Sequence, residues 1–318
     1  MRKAYVLLCA VLLGWMFARI SSAETSLSIA TGGEAGVYYP LGSGLAKALT
    51  NHLAGVEVTA IISDASAANI NMIAGHEVEL ALVQNDVAFR AVNGERPFRE
   101  PVKNLSMIAS LYPEQVQCFT IPDNGIKTVA DLRGKRVSVG TMDSGTIDTV
   151  SVILSAAGLR YADVNADFLD FAATALRILD DQLDAGFVVA GYPTPAVTDF
   201  AARKGVSIVA FEDDLLDKLS AEHPFFMKDV IPAGTYRGTD RDIPTIAVMA
   251  VLVCDAGLPD DLVYGITKAV FENLAELAPS HAKAEMIALD TALSAAAVKV
   301  HPGAAKYYTE QGLTVPAL

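Results

Sequence analysis

The residue types able to do chemistry gather in four short polar segments: residues 31–40 (TGGEAGVYYP), 63–69 (SDASAAN), 84–86 (QND) and 143–146 (DSGT). Each follows an apolar, strand-like run and leads into a helical pattern. Such a segment brings hydroxyls, amides and carboxylates to one end of a sheet. The helix behind it adds unpaired backbone N–H groups and a partial positive charge. Together these suit an anionic or polar molecule; an ordinary strand-to-helix turn, with its polar residues serving only as caps, is the alternative for each segment. The glycines of the first segment do not have the dinucleotide-binding spacing. Pro40 suits a first helical turn, and Ser66 reads as a helix N-cap.

Bond-breaking chemistry finds little support. Ser144 lacks the G-x-S-x-G setting of an activated serine, and no histidine is spaced to serve it. The histidines, His52, His76, His223, His281 and His301, form no metal-ligand pattern with cysteine. No catalytic residue and no cofactor are expected. The chain reads as a binding protein and not an enzyme.

Strand-like runs at residues 27–31, 56–62, 80–83, 137–139 and 186–190 position these segments. Helical patterns cover residues 39–52, 66–74, the stretch after Asp86, and the stretch up to residue 157. Strands alternating with helices imply an α/β fold with parallel sheet. Polar strand ends then lie together at the carboxyl edge, where such sheets bind ligands. Two further apolar runs, 116–121 and 243–253, mark crossings between two lobes. Residues 24–121 and 243–318 would form lobe 1, and residues 122–242 an inserted lobe 2. Two crossings make a double-strand hinge. The stretch 260–312 reads as largely helical. The length, 318 residues, fits two domains better than one. A net charge of −13 excludes nucleic acid, which requires a basic footprint.

The N-terminus reads as an export signal: Arg2 and Lys3, an apolar run over residues 4–17, then Ser21-Ser22-Ala23. The run is short for a membrane span of about 20 residues. Cleavage after Ala23 and a periplasmic location are expected; an uncleaved anchor is the alternative. Cys118 and Cys254 would remain, in an oxidising compartment, as either a disulfide or two buried thiols.

Several longer segments resemble the TAXI family, the solute receptors of TRAP (tripartite ATP-independent periplasmic) transporters. They are TGGEAGVYYPLG from Thr31, IKTVADLRGKRVSVG from Ile126, DSGT from Asp143 and VVAGYPTPA from Val188. IPAGTY from Ile231, LPDDLVYGITKAVFEN from Leu258 and HPGAAKYY from His301 extend the match. The resemblance implies a two-lobed type II periplasmic-binding-protein fold and a TRAP-type membrane permease as partner. It also implies a ligand among glutamate-like amino acids and small dicarboxylates. By position it assigns ligand contacts to Gly33, Tyr39, Ser66, Asn69, Gln84, Ser144 and Thr146, with Ala190 and Gly191 close by. Glu34, Asp64 and Asp143 depart from the family pattern. Three carboxylates around a carboxylate cradle repel a dianion, so either these side chains point away, a cation such as Ca2+ bridges them, or the ligand carries an amine; an amino acid is expected over a simple dicarboxylate. Service to a membrane sensor kinase is the alternative to transport.

Overall fold

A computed structural model describes residues 25–317; the export-signal reading of residues 1–23 falls outside them. Among these residues ten strands form one mixed sheet. They are β1 (Thr25–Ala30), β2 (Val56–Ile61), β3 (Leu80–Gln84), β4 (Leu105–Thr120), β5 (Arg136–Ser138), β6 (Asn165–Asp167), β7 (Ala185–Ala190), β8 (Ser207–Ile208), β9 (Met227–Ile231) and β10 (Ile243–Asp255). The helices are α1 (Tyr38–His52), α2 (Ser66–Ala74), α3 (Asn85–Asn93), α4 (Gly145–Ala156), α5 (Phe171–Leu179), α6 (Pro195–Lys204), α7 (Asp213–Glu222), α8 (Asp260–Glu272), α9 (Leu274–Leu277) and α10 (Pro302–Glu310). None is long and apolar enough to cross a membrane.

The sheet runs β2-β1-β3-β10-β4-β7-β5-β6, with β8 beside β4 and β9 beside β10. Parallel pairs lie at the two ends, β2-β1-β3 and β7-β5-β6. Strand β3 shows why its sequence is apolar throughout. Leu80 and Leu82 pack with Leu41, Leu45 and Leu49 of α1 on one face. Ala81 and Val83 pack with Ile70 of α2 and Val87 of α3 on the other. A strand covered on both faces has no polar side to show. β7 repeats this in the second lobe. Phe187 and Val189 meet Val150 and Ile153 of α4, and Val188 faces the Phe200 side of α6.

The long strands β4 and β10 join the two ends. β10 pairs with β3 through residues 250–254 and with β9 through residues 243–247. β4 pairs with β10 through residues 105–115 and with β7 through residues 115–119. Both strands therefore belong to both lobes, and their neighbours change near Gln115 and Ala247. β4 begins eleven residues earlier than the apolar run at 116–121 suggests. Pro113-Glu114-Gln115 breaks the apolar pattern, yet Pro113 is accommodated opposite Met249, next to an irregular register at Ala250/Val251.

The disulfide expectation is corrected: Cys118 and Cys254 are free, buried thiols. Cys254 sits opposite Ser106 of β4, while Cys118 lies twelve residues further along that strand. At ~3.3 Å per residue the two are roughly 40 Å apart, whereas a disulfide needs Cα atoms within about 7 Å. Burial pushes both thiols well above their ordinary range.

At the C-terminal end α10 lies directly on α8. A Cβ on Gly303 would stand 2.1 Å from the Asp260 carbonyl oxygen and 2.8 Å from the Tyr264 nitrogen. Both obstacles are backbone, so neither rotates away. Gly303→Ala is expected to destabilise the fold by about 1–3 kcal/mol. Chemical denaturation measures this, and an unchanged midpoint would contradict the backbone contact.

Candidate functional site

The carboxyl ends of β1, β2, β3, β5, β6 and β7 open on one cavity of about 520 Å3 between the lobes. Four of these strand ends, those of β1, β2, β5 and β6, hand over to a helix whose first turn faces this space. Gly33 and Val37 precede α1, and Asp64 and Ala65 precede α2. Ser144 and Gly145 start α4, and Asp170 and Phe171 start α5. Ala65 holds φ 72° and ψ −143°, a conformation costly for a residue with a side chain.

The inner end is built from buried polar groups. Glu114, on β4 midway between the lobes, is only 2% exposed. It accepts a 2.8 Å hydrogen bond from the Tyr38 hydroxyl. Burial pushes its carboxyl up to about 8, with Asp86 adding to the rise and Tyr38 and Lys283 opposing it. At neutral pH Glu114 is therefore mostly protonated, a neutral hydrogen-bonding group. Burial also brings the Lys283 ammonium down to about 8; its Nζ sits 3.6 Å from the Tyr192 ring centroid. Ser66 Oγ accepts from the Gln84 backbone N–H at 3.1 Å, tying two of the strand ends together.

The lobes touch around the cavity. The Asp143 carbonyl, from the second lobe, accepts from the N–H groups of Ala67 and Ala68 at 3.1 Å each. The Ala196 N–H donates to the Ala35 carbonyl at 3.0 Å. Arg90 lies 3.8 Å from both Asp86 and Asp148, and burial pushes Asp148 up to about 6. The rings of Phe89 and Phe225 stand 4.9 Å apart.

Eight of the residues singled out from the sequence line this cavity: Gly33, Ser66, Gln84, Ser144, Thr146 and Ala190, with the acidic Glu34 and Asp64. Four do not. Tyr39 is half-buried outside the lining, and its neighbour Tyr38 faces the cavity. Asn69 is fully buried, and its amide donates to the Thr31 and Leu82 carbonyls at 2.7 Å each. It braces β1 against β3. Gly191 is covered by the Lys283 stem. Asp143 contributes its carbonyl to α2 while its side chain is exposed. The expected triple repulsion therefore does not form. Among the described residues no group of three or more acidic, histidine or cysteine side chains is arranged to hold a metal ion. Ser66 is also not the N-cap; Ala65 occupies that position. Ser144 is an N-cap, accepting from the Ile147 N–H at 3.3 Å and donating to the Thr141 carbonyl at 2.8 Å. A hydroxyl committed to both partners has no base beside it.

Asn69→Ala would take a donor from two buried carbonyls, Leu82 and Thr31, the second of which keeps the Ser63 hydroxyl at 3.0 Å. It is expected to cost about 1–3 kcal/mol of stability with less than a threefold change in affinity for solute. Parallel denaturation and calorimetric titration separate the two effects, and a large loss of affinity in a fully folded variant would return Asn69 to the binding set.

Sequence reasoning missed Glu114 and the pair Leu169 and Phe171; of the two tyrosines it offered as ligand contacts, Tyr38 is the one that lines the cavity. A signal existed for Glu114: one carboxylate between the largely apolar stretches 105–112 and 116–121.

Residues 29–312 match the NMT1-like family. Among solved structures, the chain is similar to the alkanesulfonate-binding protein SsuA from Xanthomonas axonopodis pv. citri bound to MOPS. That match has TM-score 0.51 and 14% identity, covering 92% of this chain and 95% of that one. PhnD1 from Prochlorococcus marinus, in complex with methylphosphonate, matches with TM-score 0.51 and 14% identity over 84% of this chain and 90% of that one. A binding-protein component of an ABC phosphonate transporter from Pseudomonas aeruginosa gives TM-score 0.51 and 12% identity over 82% and 79%. At such identities the likeness is one of fold, the mixed α/β, two-lobed architecture of periplasmic binding proteins.

Proposed function

The chain belongs to the NMT1-like family, and on that premise we propose that it is an extracytoplasmic solute-binding receptor. It captures a small solute, an amino acid or small carboxylate, between its lobes. It then delivers that solute to a membrane permease of the TRAP type. The export-like N-terminus and the TAXI-like segments support the periplasmic location and the choice of partner.

One observation carries the reading. A single cavity takes its walls from both lobes, and its inner end is made of buried hydrogen-bonding groups, Ser66, Gln84, Glu114 and Thr146. A solute that pairs with these groups favours the closed state and is shielded from water. Specificity follows because a buried polar group left unpaired costs more than its hydrogen bond gains.

A thermal-shift screen of amino acids and organic acids tests binding. A solute at 1,000-fold over its Kd stabilises the fold by about 4 kcal/mol. Proteoliposomes holding a TRAP-type permease from the same genome are then expected to take up that solute only when the receptor is added. A screen with no stabilising solute would end the receptor reading. Uptake unaffected by the receptor would end the assignment of the permease.

A further inference from the structure

Resting on the receptor reading, we propose that the cavity takes a solute with one carboxylate and an apolar body, branched or aromatic, and not a dicarboxylate. Three features of the cavity lead to this class.

The first is where an anionic group is met. The first amides of a helix have no partner within it. The starts of α1, α4 and α5 line the cavity through Val37, Gly145 and Phe171. The α2 start lines it too, but its Ala67 and Ala68 amides are bonded to the Asp143 carbonyl. At α5 the Asp170 carboxylate caps the Ala173 amide, and at α4 Ser144 Oγ takes the Ile147 amide, so the earliest amides of α1 and α4, one from each lobe, are the ones offered to a single carboxylate.

The second is what a second carboxylate would meet. Among the described lining residues no lysine, arginine or histidine is present. Arg90 lies between Asp86 and Asp148, and Lys283 is stacked on Tyr192. The ionisable lining groups are all acidic: Glu34, Asp64 and Asp170 at exposed positions and Glu114 at the inner end. A second anionic group closed into this space would have no cation to pair with, and an unpaired buried charge is strongly unfavourable.

The third is the character of the remaining wall. Val37, Leu169, Phe171 and Val189 present apolar surface from both lobes, and Ile62, 52% exposed, extends it. A volume of about 520 Å3 lies within the range of about 300–1,000 Å3 that buries drug-sized ligands. A five-carbon dicarboxylate would leave much of that wall against water, whereas an isobutyl or benzyl group covers it.

Calorimetric titration of the full chain against seven solutes tests the class. Leucine and phenylalanine share the proposed chemistry with 4-methyl-2-oxopentanoate and phenylpyruvate, and the two pairs separate amino acids from oxo acids. Glutamate, 2-oxoglutarate and succinate stand against them. At least one of the first four is expected to bind tenfold or more tighter than all of the last three. Phe171→Ser and Leu169→Gln are each expected to weaken that solute tenfold, with unchanged circular dichroism. A dicarboxylate binding tightest overturns the class and leaves the receptor reading standing. Equal affinity for both groups, or folded variants that bind as the parent does, overturns it as well. No binding of any of the seven overturns the class; the receptor reading falls only if the wider screen is also empty.

Discussion

Gly145→Val is expected to weaken solute binding by at least about a hundredfold while each lobe stays folded. Gly145 begins α4 in one lobe and faces the other. A Cβ there would stand 2.2 Å from Gln84 Oε1, 2.5 Å from Gln84 Cδ and 3.0 Å from Ser66 Oγ. Gln84 is buried, and its Oε1 accepts a 3.4 Å hydrogen bond from Thr149 Oγ1 of α4, which is lost if it swings aside. Valine adds two methyl groups to the same seam. The clash exists only when the lobes meet, so its cost falls on the closed state and not on the fold. About 2.8 kcal/mol charged to that state alone is a hundredfold in affinity. Calorimetric titration with the tightest solute, and small-angle scattering of the solute-loaded protein, read the two consequences. A variant that binds within threefold of the parent would show that Gln84 yields and that this seam does not govern closure.

Glu114→Gln is expected to remove a large source of pH dependence near neutrality in the unliganded protein. The folded protein holds this proton up to about 8, against an ordinary value of 4.5. A carboxyl raised in this sense stabilises the fold fully below pH 4.5, and that contribution is lost as pH rises through 8. Each unit is worth 1.36 kcal/mol, so about 4–5 kcal/mol is at stake. Glutamine keeps the shape and the hydrogen bonding but has no proton to lose. The variant should match the parent near pH 5 and exceed it by about 4–5 kcal/mol near pH 9. Asp148, with its carboxyl at about 6, acts in the same direction, and His281, lowered by burial, in the opposite one. Taking the difference between parent and variant removes both. Denaturation curves that stay parallel from pH 5 to pH 9 would contradict the buried, protonated state of Glu114.

The local alternation of strand and helix was legible because it rests on short-range patterning. Apolar runs that end in Gly, Ser, Thr or Asn and lead into helices came within one or two residues of β3, α2, β7 and β10. The strand-end rule then found most of the cavity lining, since parallel strands bring their carboxyl ends to one edge. What stayed hidden depends on direction and on long-range partners. Tyr38 and Tyr39 are adjacent and chemically alike, and only the phase of α1 decides which one meets Glu114. Asn69 has the look of a ligand contact, but its amide is spent on two carbonyls that only folding brings near. Glu114 hid within β4 because Pro113 interrupts the strand pattern beside it. The pairing of Cys118 with Cys254 was open in sequence and is closed by register, a property of a sheet and not of a segment.

The Asp143 carbonyl resting on the Ala67 and Ala68 amides also supplies a clock. While the cleft is shut, those two hydrogens are held away from water. Whenever the lobes part they are released, and in heavy water each parting gives them a chance to be replaced by deuterium. The exchange rate of a single peptide spanning residues 66–70 should therefore count the openings of the empty protein. It should fall in proportion to occupancy as solute is added, reporting the rhythm of the cleft without any label on the protein.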